Sequence, residues 1–224
     1  MVNSDRVNAL DALNGQWVAG VDEVGRGALF GPVVAGAVLL PEAATSKLLA
    51  AGVTDSKKLS GTKRSRLAIL IQSEALAVGL AVASVREIDR LNILQASLLA
   101  MKRAVLQLTI QPNLCLVDGN QLIPGLSVPQ QTIVKGDETV LAIAAASILA
   151  KVWRDDLITR LANRYPQYDL ASNKGYGTAR HRLALEKFGL SAFHRRSFKP
   201  CGDRETSHQP SLLYSNSQPS AVHL

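Results

Sequence analysis

The chain of 224 residues is long enough for one sizeable domain with its own core, and 47% of its residues are hydrophobic. Its net charge is +7, residues 1–16 are polar with no apolar segment typical of a secretory signal, and the longest apolar tract, 140–150, is too short to span a bilayer. The lone cysteines Cys115 and Cys201 have neither metal-ligand spacing nor a disulfide framework, so we expect a cytoplasmic protein with no membrane association.

Two apolar runs near the N-terminus, 17–19 and 32–40, predict neighbouring strands joined by a glycine-rich turn. That turn contains the stretch Gly20-Val21-Asp22-Glu23-Val24-Gly25-Arg26-Gly27. Consecutive strand side chains point to opposite faces, but at a strand end the longer Glu23 reaches the Asp22 side because Gly25 frees the backbone. Two adjacent carboxylates repel each other, and a cation bound between them relieves this repulsion. The alternative is that this stretch is a polar turn without a further role.

The middle of the chain alternates between helical and strand patterns. A short helical segment at 43–51 precedes a helix that runs from the N-cap Ser60 to about residue 72. A buried strand follows at 76–85. Apolar residues then recur at helical spacing from 87 to 108, which predicts one long amphipathic helix.

A short buried strand, 114–117, leads directly into Asp118. An extended or hairpin-like segment reaches residue 134, a turn containing Asp137 follows, and 141–158 predicts a helix. This order of elements predicts a mixed α/β fold with a central sheet and helices on its faces.

Residues 151–200 differ in charge from the rest of the chain. Residues 151–200 carry 11 basic and 4 acidic side chains, whereas 1–150 carry 13 and 12. Residues 178–188 predict a basic helix that ends at Gly189. A concentrated basic block favours a polyanionic partner, most commonly nucleic acid, with a merely soluble basic face as the alternative.

Four carboxylates lie at the ends of predicted strands or in the turn before a predicted helix, which are the positions where α/β proteins collect their functional groups. They are Asp22, Glu23, Asp118 and Asp137. Oxygen ligands without cysteine or histidine partners suit Mg²⁺ or Mn²⁺ and make zinc a poor candidate. An acidic pocket on a basic protein suits phosphodiester hydrolysis by paired metal ions, with the basic face holding the backbone.

Seven short motifs follow one another along the chain. They are Asp22-Glu23-Val24-Gly25-Arg26-Gly27, Asp55-Ser56-Lys57, Asp118-Gly119-Asn120, Lys135-Gly136-Asp137, Ala144-Ala145-Ala146-Ser147-Ile148-Leu149-Ala150-Lys151-Val152, Lys174-Gly175-Tyr176-Gly177-Thr178 and His194-Arg195-Arg196-Ser197-Phe198. In these motifs and their order the chain resembles bacterial ribonuclease HII over about residues 16–200. Each motif alone is weak, but seven in order are highly specific.

The resemblance implies a ribonuclease H-like mixed β-sheet flanked by helices, with a small helical C-terminal appendage. Together with the composition of the chain, in which residues 201–224 are rich in serine, proline and glutamine, it predicts an N-terminal extension (1–15), a catalytic domain (16–155), a basic helical region (156–200) and a disordered tail (201–224). It also implies an endonuclease that cleaves RNA in RNA–DNA hybrids and 5′ of single ribonucleotides in duplex DNA, and we expect this enzyme to be a monomer. Its products would carry 3′-hydroxyl and 5′-phosphate ends, as in ribonucleotide excision during DNA replication and repair.

Residue roles carry over by motif. The four carboxylates resemble the family's metal ligands for Mg²⁺ or Mn²⁺, and the backbone of Gly25, Arg26 and Gly27 resembles its sensor of the ribose 2′-hydroxyl. Glycine allows such close backbone approach, and the 2′-hydroxyl distinguishes RNA from DNA. Tyr176 matches the tyrosine that packs on the sugar after the ribonucleotide, with an ordinary packed tyrosine as the alternative. Further candidates for phosphate contacts are Lys57 and Asn92.

Arg195 and Arg196 are candidates either for phosphate contacts or for internal ion pairs. Three positions depart from the family pattern: Asn173 stands where histidine is frequent, Gly177 where proline is usual and Glu138 where a small residue is common. We expect Gly177 to loosen the Tyr176 loop and Glu138 to add charge near the metals. The alternative functions are a non-catalytic nucleic-acid-binding protein of the same fold and another ribonuclease H-like enzyme, such as a DNA exonuclease or recombinase.

Overall fold

A computed structural model describes residues 17–202 of the chain. The strands are β1 (Val18–Val24), β2 (Val33–Leu39), β3 (Ala77–Ala83), β4 (Leu114–Asp118) and β5 (Gln130–Ile133). The α-helices are α1 (Thr45–Ala51), α2 (Gly61–Glu74), α3 (Val85–Leu91), α4 (Ile93–Leu106), α5 (Gly136–Thr139), α6 (Leu141–Ala162), α7 (Leu170–Asn173) and α8 (Ala179–Phe188). Within this part of the chain, no helix is long and apolar enough to cross a membrane.

The five strands form one mixed sheet in the order β3-β2-β1-β4-β5. Strand β2 pairs antiparallel with both β1 and β3, which confirms the predicted N-terminal hairpin. Strands β1, β4 and β5 run parallel to one another. The segment before residue 134 is therefore no hairpin, because β5 returns to lie parallel to β4 and both strands end at the same edge.

Helices cover both faces of the sheet, as predicted for an α/β protein. On one face, alanine and valine side chains of β1, β2 and β3 pack against α4. On the other face, the alanine-rich first half of α6 packs against β1 and β2, and α2 lies beside it. This contact is very close, since a Cβ atom added at Gly20 of β1 would lie 2.2 Å from the backbone carbon of Ala142.

The predicted single helix over 87–108 is wrong, because the chain forms α3 and α4 with a break at Asn92. Asn92 has a φ of 72°, in the left-handed region that a helix interior excludes. Its side-chain oxygen accepts the N–H of Gln95 and so caps α4. Apolar spacing continues through the break, so hydrophobic periodicity alone does not reveal it.

The C-terminal region packs against the loop between β1 and β2 through a third cluster that includes Leu29 and Phe30 of that loop. Helix α8 begins after the cap Thr178 and ends at Gly189, as predicted. Helix α6 continues without interruption through residue 155, where the sequence places a domain boundary. The expected extension 1–15 and most of the expected tail 201–224 lie outside the described residues.

A buried histidine pair lies within this third cluster. The Ser191 N–H donates to Nδ1 of His194 over 2.9 Å, so Nε2 of His194 carries the proton. That nitrogen lies 3.0 Å from Nε2 of His181, whose Nδ1 in turn lies 2.9 Å from the Tyr176 carbonyl oxygen. The pair is therefore satisfied only when both rings are neutral.

We expect this pair to make the fold acid-sensitive. Burial lowers the pKa of His194 from 6.5 to about 3, and repulsion from His181 contributes. Its contribution to stability is complete above pH 6.5 and falls by about 1.4 kcal/mol per pH unit as the pH drops toward 3, because only the unfolded state takes up the proton. Urea unfolding at pH 7.5 and 5.5 should show a larger loss for the wild type than for His194→Gln; equal losses would contradict this.

Candidate active site

The parallel strands β1 and β4 bring two acidic side chains together at the edge where both strands end. Their register places Val21 beside Val117, so the next residues, Asp22 and Asp118, are neighbours on the same face. Glu23 follows at the end of β1, and only 4% of Asp22 is exposed. Residues almost a hundred positions apart thus share one site because of the parallel pairing.

Asp137 joins this edge from the short helix α5, which directly follows β5. The Gly136 N–H donates to Oδ1 of Asp118 over 2.7 Å and so ties the end of β4 to the start of α5. Lys57 Nζ lies 3.3 Å from Oδ2 of Asp137. Burial alone would lower the pKa of Lys57, but attraction to Asp137, with smaller contributions from Asp55 and Asp22, raises it.

These four carboxylates, which we call the acidic cluster, repel one another. Burial raises the pKa of Asp22 well above its ordinary value, and repulsion from Glu23 and Asp118 raises it further. Burial is also the main cause of the raised pKa values of Glu23 and Asp118, with contributions from Asp118 and Asp137 respectively. The structure thus brings Asp22, Glu23 and Asp118 within electrostatic reach of one another, and Asp137 within reach of Asp118.

Ser147 of helix α6 contacts the acidic cluster, although the sequence analysis gave this residue no role. Ser147 is buried and hydrogen-bonds the Asp22 carboxylate, and its hydroxyl lies 3.0 Å from that of Ser56. Asp22 also accepts the N–H of Glu23 over 2.7 Å. A lone serine inside the apolar first half of a buried helix is the sequence signal that points to such a role.

The donor set fits a hard divalent cation, since it consists of carboxylate oxygens whose mutual repulsion a cation relieves. Each carboxylate has an internal partner, such as Arg26, whose Nη1 lies 3.1 Å from Oε1 of Glu23. As they stand, no three or more acidic, histidine or cysteine side chains of residues 17–202 are arranged to hold a metal ion. We expect side chains such as Glu23 and Asp137 to exchange their present partners, Arg26 and Lys57, when such a cation binds.

The glycine loop, residues 25–27, follows β1 and lies beside the Tyr176 loop. Gly25 has a φ of 90°, which favours glycine, whereas Arg26 and Gly27 are exposed. The two loops are joined because the carbonyl oxygen of Gly175 accepts the N–H groups of Leu29 and Phe30 over 2.8 and 3.2 Å. These bonds hold the Tyr176 loop next to the residues that directly follow the glycine loop.

Tyr176 is half-buried between two cationic side chains. Lys151 Nζ lies 5.7 Å and the Arg154 guanidinium carbon 5.6 Å from the centre of its ring. Asn173 fixes the start of the loop, because its amide donates to the Tyr168 carbonyl and accepts the Gly175 N–H.

The other two departures from the family pattern also have visible contacts. A Cβ atom at Gly177 would lie 2.9 Å from Leu29, so the glycine allows the Tyr176 loop to pack against the glycine-loop segment. Glu138 lies 3.4 Å from Lys58, on the outer side of α5. Whether Gly177 loosens the loop stays a prediction.

Comparisons with known proteins show which family the chain belongs to. The sequence model of the family described as Ribonuclease HII matches residues 19–201. The chain belongs to the ribonuclease HII family. It is 61% identical over 204 residues to ribonuclease HII of Trichodesmium erythraeum (strain IMS101), covering 91% of this chain and 93% of the relative. Ribonuclease HII of Acaryochloris marina (strain MBIC 11017) is 65% identical over 186 residues, covering 83% and 94%.

A solved structure of the family shares the fold. The crystal structure of ribonuclease H2 from Pyrococcus horikoshii OT3 matches with a TM-score of 0.72 at 27% identity, covering 83% of this chain and 95% of that one. The mixed sheet flanked by helices is thus the ribonuclease H-type fold that the sequence predicted. As a member of the ribonuclease HII family, the chain is a hydrolase with ribonuclease H activity on RNA–DNA hybrids.

The remaining candidates differ in position. Lys57 lies at the acidic cluster, whereas the hydrogen bonds that the structure describes for Asn92 join α3 and α4. Both expectations for Arg195 are wrong, because it is fully buried and donates to backbone carbonyls instead of a carboxylate. Arg196 is exposed, and its N–H donates to Asp89.

Proposed function

We propose that this ribonuclease HII-family chain cleaves 5′ of a single ribonucleotide in duplex DNA as well as in RNA–DNA hybrids, leaving 3′-hydroxyl and 5′-phosphate ends. The observation that carries this is the contiguity of the acidic cluster, the glycine loop and the Tyr176 loop. This contiguity supports a hydrolytic site next to a backbone surface suited to a sugar. We further propose that the enzyme acts as a cytoplasmic monomer.

Asp22, Glu23, Asp118 and Asp137 are the proposed ligands of two Mg²⁺ or Mn²⁺ ions. When bound, such ions activate water and stabilise the leaving oxygen of a phosphodiester. Ser147 orients the Asp22 carboxylate by its hydrogen bond, and Lys57 holds Asp137. Lys57, with 79% of its side chain exposed, is also available to a phosphate of the substrate.

The glycine loop supplies sugar recognition in this proposal. Arg26 and Gly27 are exposed residues beside the acidic cluster, and a backbone N–H group can donate to a ribose 2′-hydroxyl. The surplus of basic residues in 151–200 supplies the sequence-independent attraction to the phosphate backbone.

One assay tests the proposed function. A DNA duplex containing one ribonucleotide is incubated with the protein and Mg²⁺ or Mn²⁺, beside the same duplex without the ribonucleotide and an RNA–DNA hybrid. We expect a cut 5′ of the ribonucleotide, cleavage of the hybrid and no cut in all-DNA. Binding without cleavage, or cleavage of all-DNA, would contradict the proposal.

We expect Tyr176→Ala to reduce cleavage of the single-ribonucleotide duplex by about tenfold or more. The ring offers an apolar platform next to the glycine loop, and an aromatic contact with a nucleotide contributes roughly 1–3 kcal/mol. Tyr176→Phe keeps the ring and should stay near the wild-type rate. Single-turnover rates on both substrates check this; an equal loss on long hybrids would argue against a specific contact at the ribonucleotide junction.

A further inference from the structure

Arg195 lies beneath the glycine loop and makes an unusual set of contacts. Its Nη2 donates to the Gly25 carbonyl and its Nη1 to the Arg26 carbonyl, each over 2.7 Å, while Nε donates to Gly31 over 3.0 Å. The residue is 0% exposed. Within the described part of the chain no carboxylate forms a salt bridge with it, although buried charges are normally paired.

A second buried arginine braces the neighbouring backbone. Arg154 of α6 donates to the carbonyls of Phe30, Pro32 and Lys174 over 3.0, 3.2 and 2.9 Å. Burial lowers the pKa of Arg195 to about 9, and repulsion from Arg154 contributes. Keeping both guanidinium groups charged in the interior therefore costs free energy. Because this arrangement costs free energy, we infer that the hydrogen bonds from the two arginines to backbone carbonyls have a function of their own.

The contacts of Arg195 determine which way two peptide groups face. In a trans peptide the C=O of one residue and the N–H of the next point in opposite directions. Since the carbonyls of Gly25 and Arg26 point inward to Arg195, the N–H groups of Arg26 and Gly27 point outward. These two residues are the exposed part of the glycine loop.

We propose that Arg195 is a positioning residue for substrate recognition, which fixes the outward N–H groups of Arg26 and Gly27 toward the sugar–phosphate backbone at the scissile site. This inference rests on the proposed function of the glycine loop. Arg195 itself touches no substrate. Its planar guanidinium reaches two successive carbonyls at once, which a lysine ammonium at the same position does not reproduce.

The first test is Arg195→Lys, which keeps the positive charge but loses the planar guanidinium that donates to two carbonyls at once. At saturating enzyme, we expect single-turnover cleavage of the single-ribonucleotide duplex to fall about 100-fold, the loss typical of misplaced recognition groups. Binding of all-DNA duplex in chelator should change less than threefold. The matched control Tyr168→Phe removes a buried hydrogen bond to Gly189 in the same C-terminal cluster without touching the glycine loop and should retain the wild-type rate. A rate for Arg195→Lys within threefold of wild type would overturn the proposal.

The second test uses the wild-type protein and so does not depend on the variant folding. The ¹⁵N signals of the Arg195 guanidinium are followed by NMR in chelator while duplex is added. We expect a duplex with one ribonucleotide to shift these signals more than the same all-DNA duplex. Equal shifts, in a protein whose cleavage assay succeeds, would overturn the role of Arg195, whereas a failed cleavage assay would overturn the proposed function instead.

Discussion

Asp22→Asn should reduce cleavage by about 10³-fold or more while leaving duplex binding largely intact. Asp22 is buried within the acidic cluster, and loss of one of the proposed metal-binding carboxylates should remove several kcal/mol of transition-state stabilisation. The fold should be at least as stable, because asparagine keeps the shape and still accepts the Glu23 N–H while it removes charge repulsion. Single-turnover rates, duplex affinity and thermal unfolding measure the three effects.

The control for this prediction is Asp156→Asn on the outer surface of α6. Its carboxylate is 61% exposed and pairs with Arg160 over 2.9 Å, so its loss should change neither cleavage nor stability appreciably. If Asp22→Asn retained a tenth of wild-type activity, the central role of the acidic cluster would be wrong.

Gly20→Ala should destabilise the protein by about 3 kcal/mol or more, at the upper end of overpacking effects. The new Cβ would lie 2.2 Å from the carbon and 2.5 Å from the oxygen of Ala142, and 2.3 Å from the Ile143 nitrogen. These are backbone atoms of a long helix, so β1 and α6 must separate. Since Asp22 follows two residues later and Ser147 lies on α6, cleavage should fall as well.

Gly61→Ala provides the opposite control at the first residue of α2. An added Cβ there meets nothing within 4 Å, and alanine is favoured over glycine in a helix by about 0.5–1 kcal/mol. Thermal unfolding should therefore shift upward slightly for Gly61→Ala and downward by about 6–12 °C for Gly20→Ala. Similar shifts for both variants would show that the β1–α6 contact is looser than described.

The sequence predicted the fold class because hydrophobic patterns and turn residues act locally. The N-terminal hairpin, α2 with its cap Ser60 and α8 between Thr178 and Gly189 were all confirmed. The break at Asn92 was missed, since it depends on a backbone angle that apolar spacing does not encode. The parallel pairing of β5 was also missed, because register between distant strands arises only in the assembled sheet.

The candidate site was predictable to the extent that its residues belong to recognisable motifs. The structure brings the four carboxylates together, but their present partners, such as Lys57 at Asp137, follow from tertiary contacts. The support from Ser147 and the carbonyl contacts of Arg195 also required coordinates. A buried arginine that binds backbone carbonyls has the same sequence signal as one that binds phosphate.

An anomalous difference map from crystals soaked in Mn²⁺ tests the central claim most directly. The account predicts Mn²⁺ peaks bound by carboxylate oxygens of Asp22 and Asp118, with Glu23 and Asp137 turned from Arg26 and Lys57 toward the ions. Peaks elsewhere on the protein, with the acidic cluster unchanged and free of Mn²⁺, would contradict it.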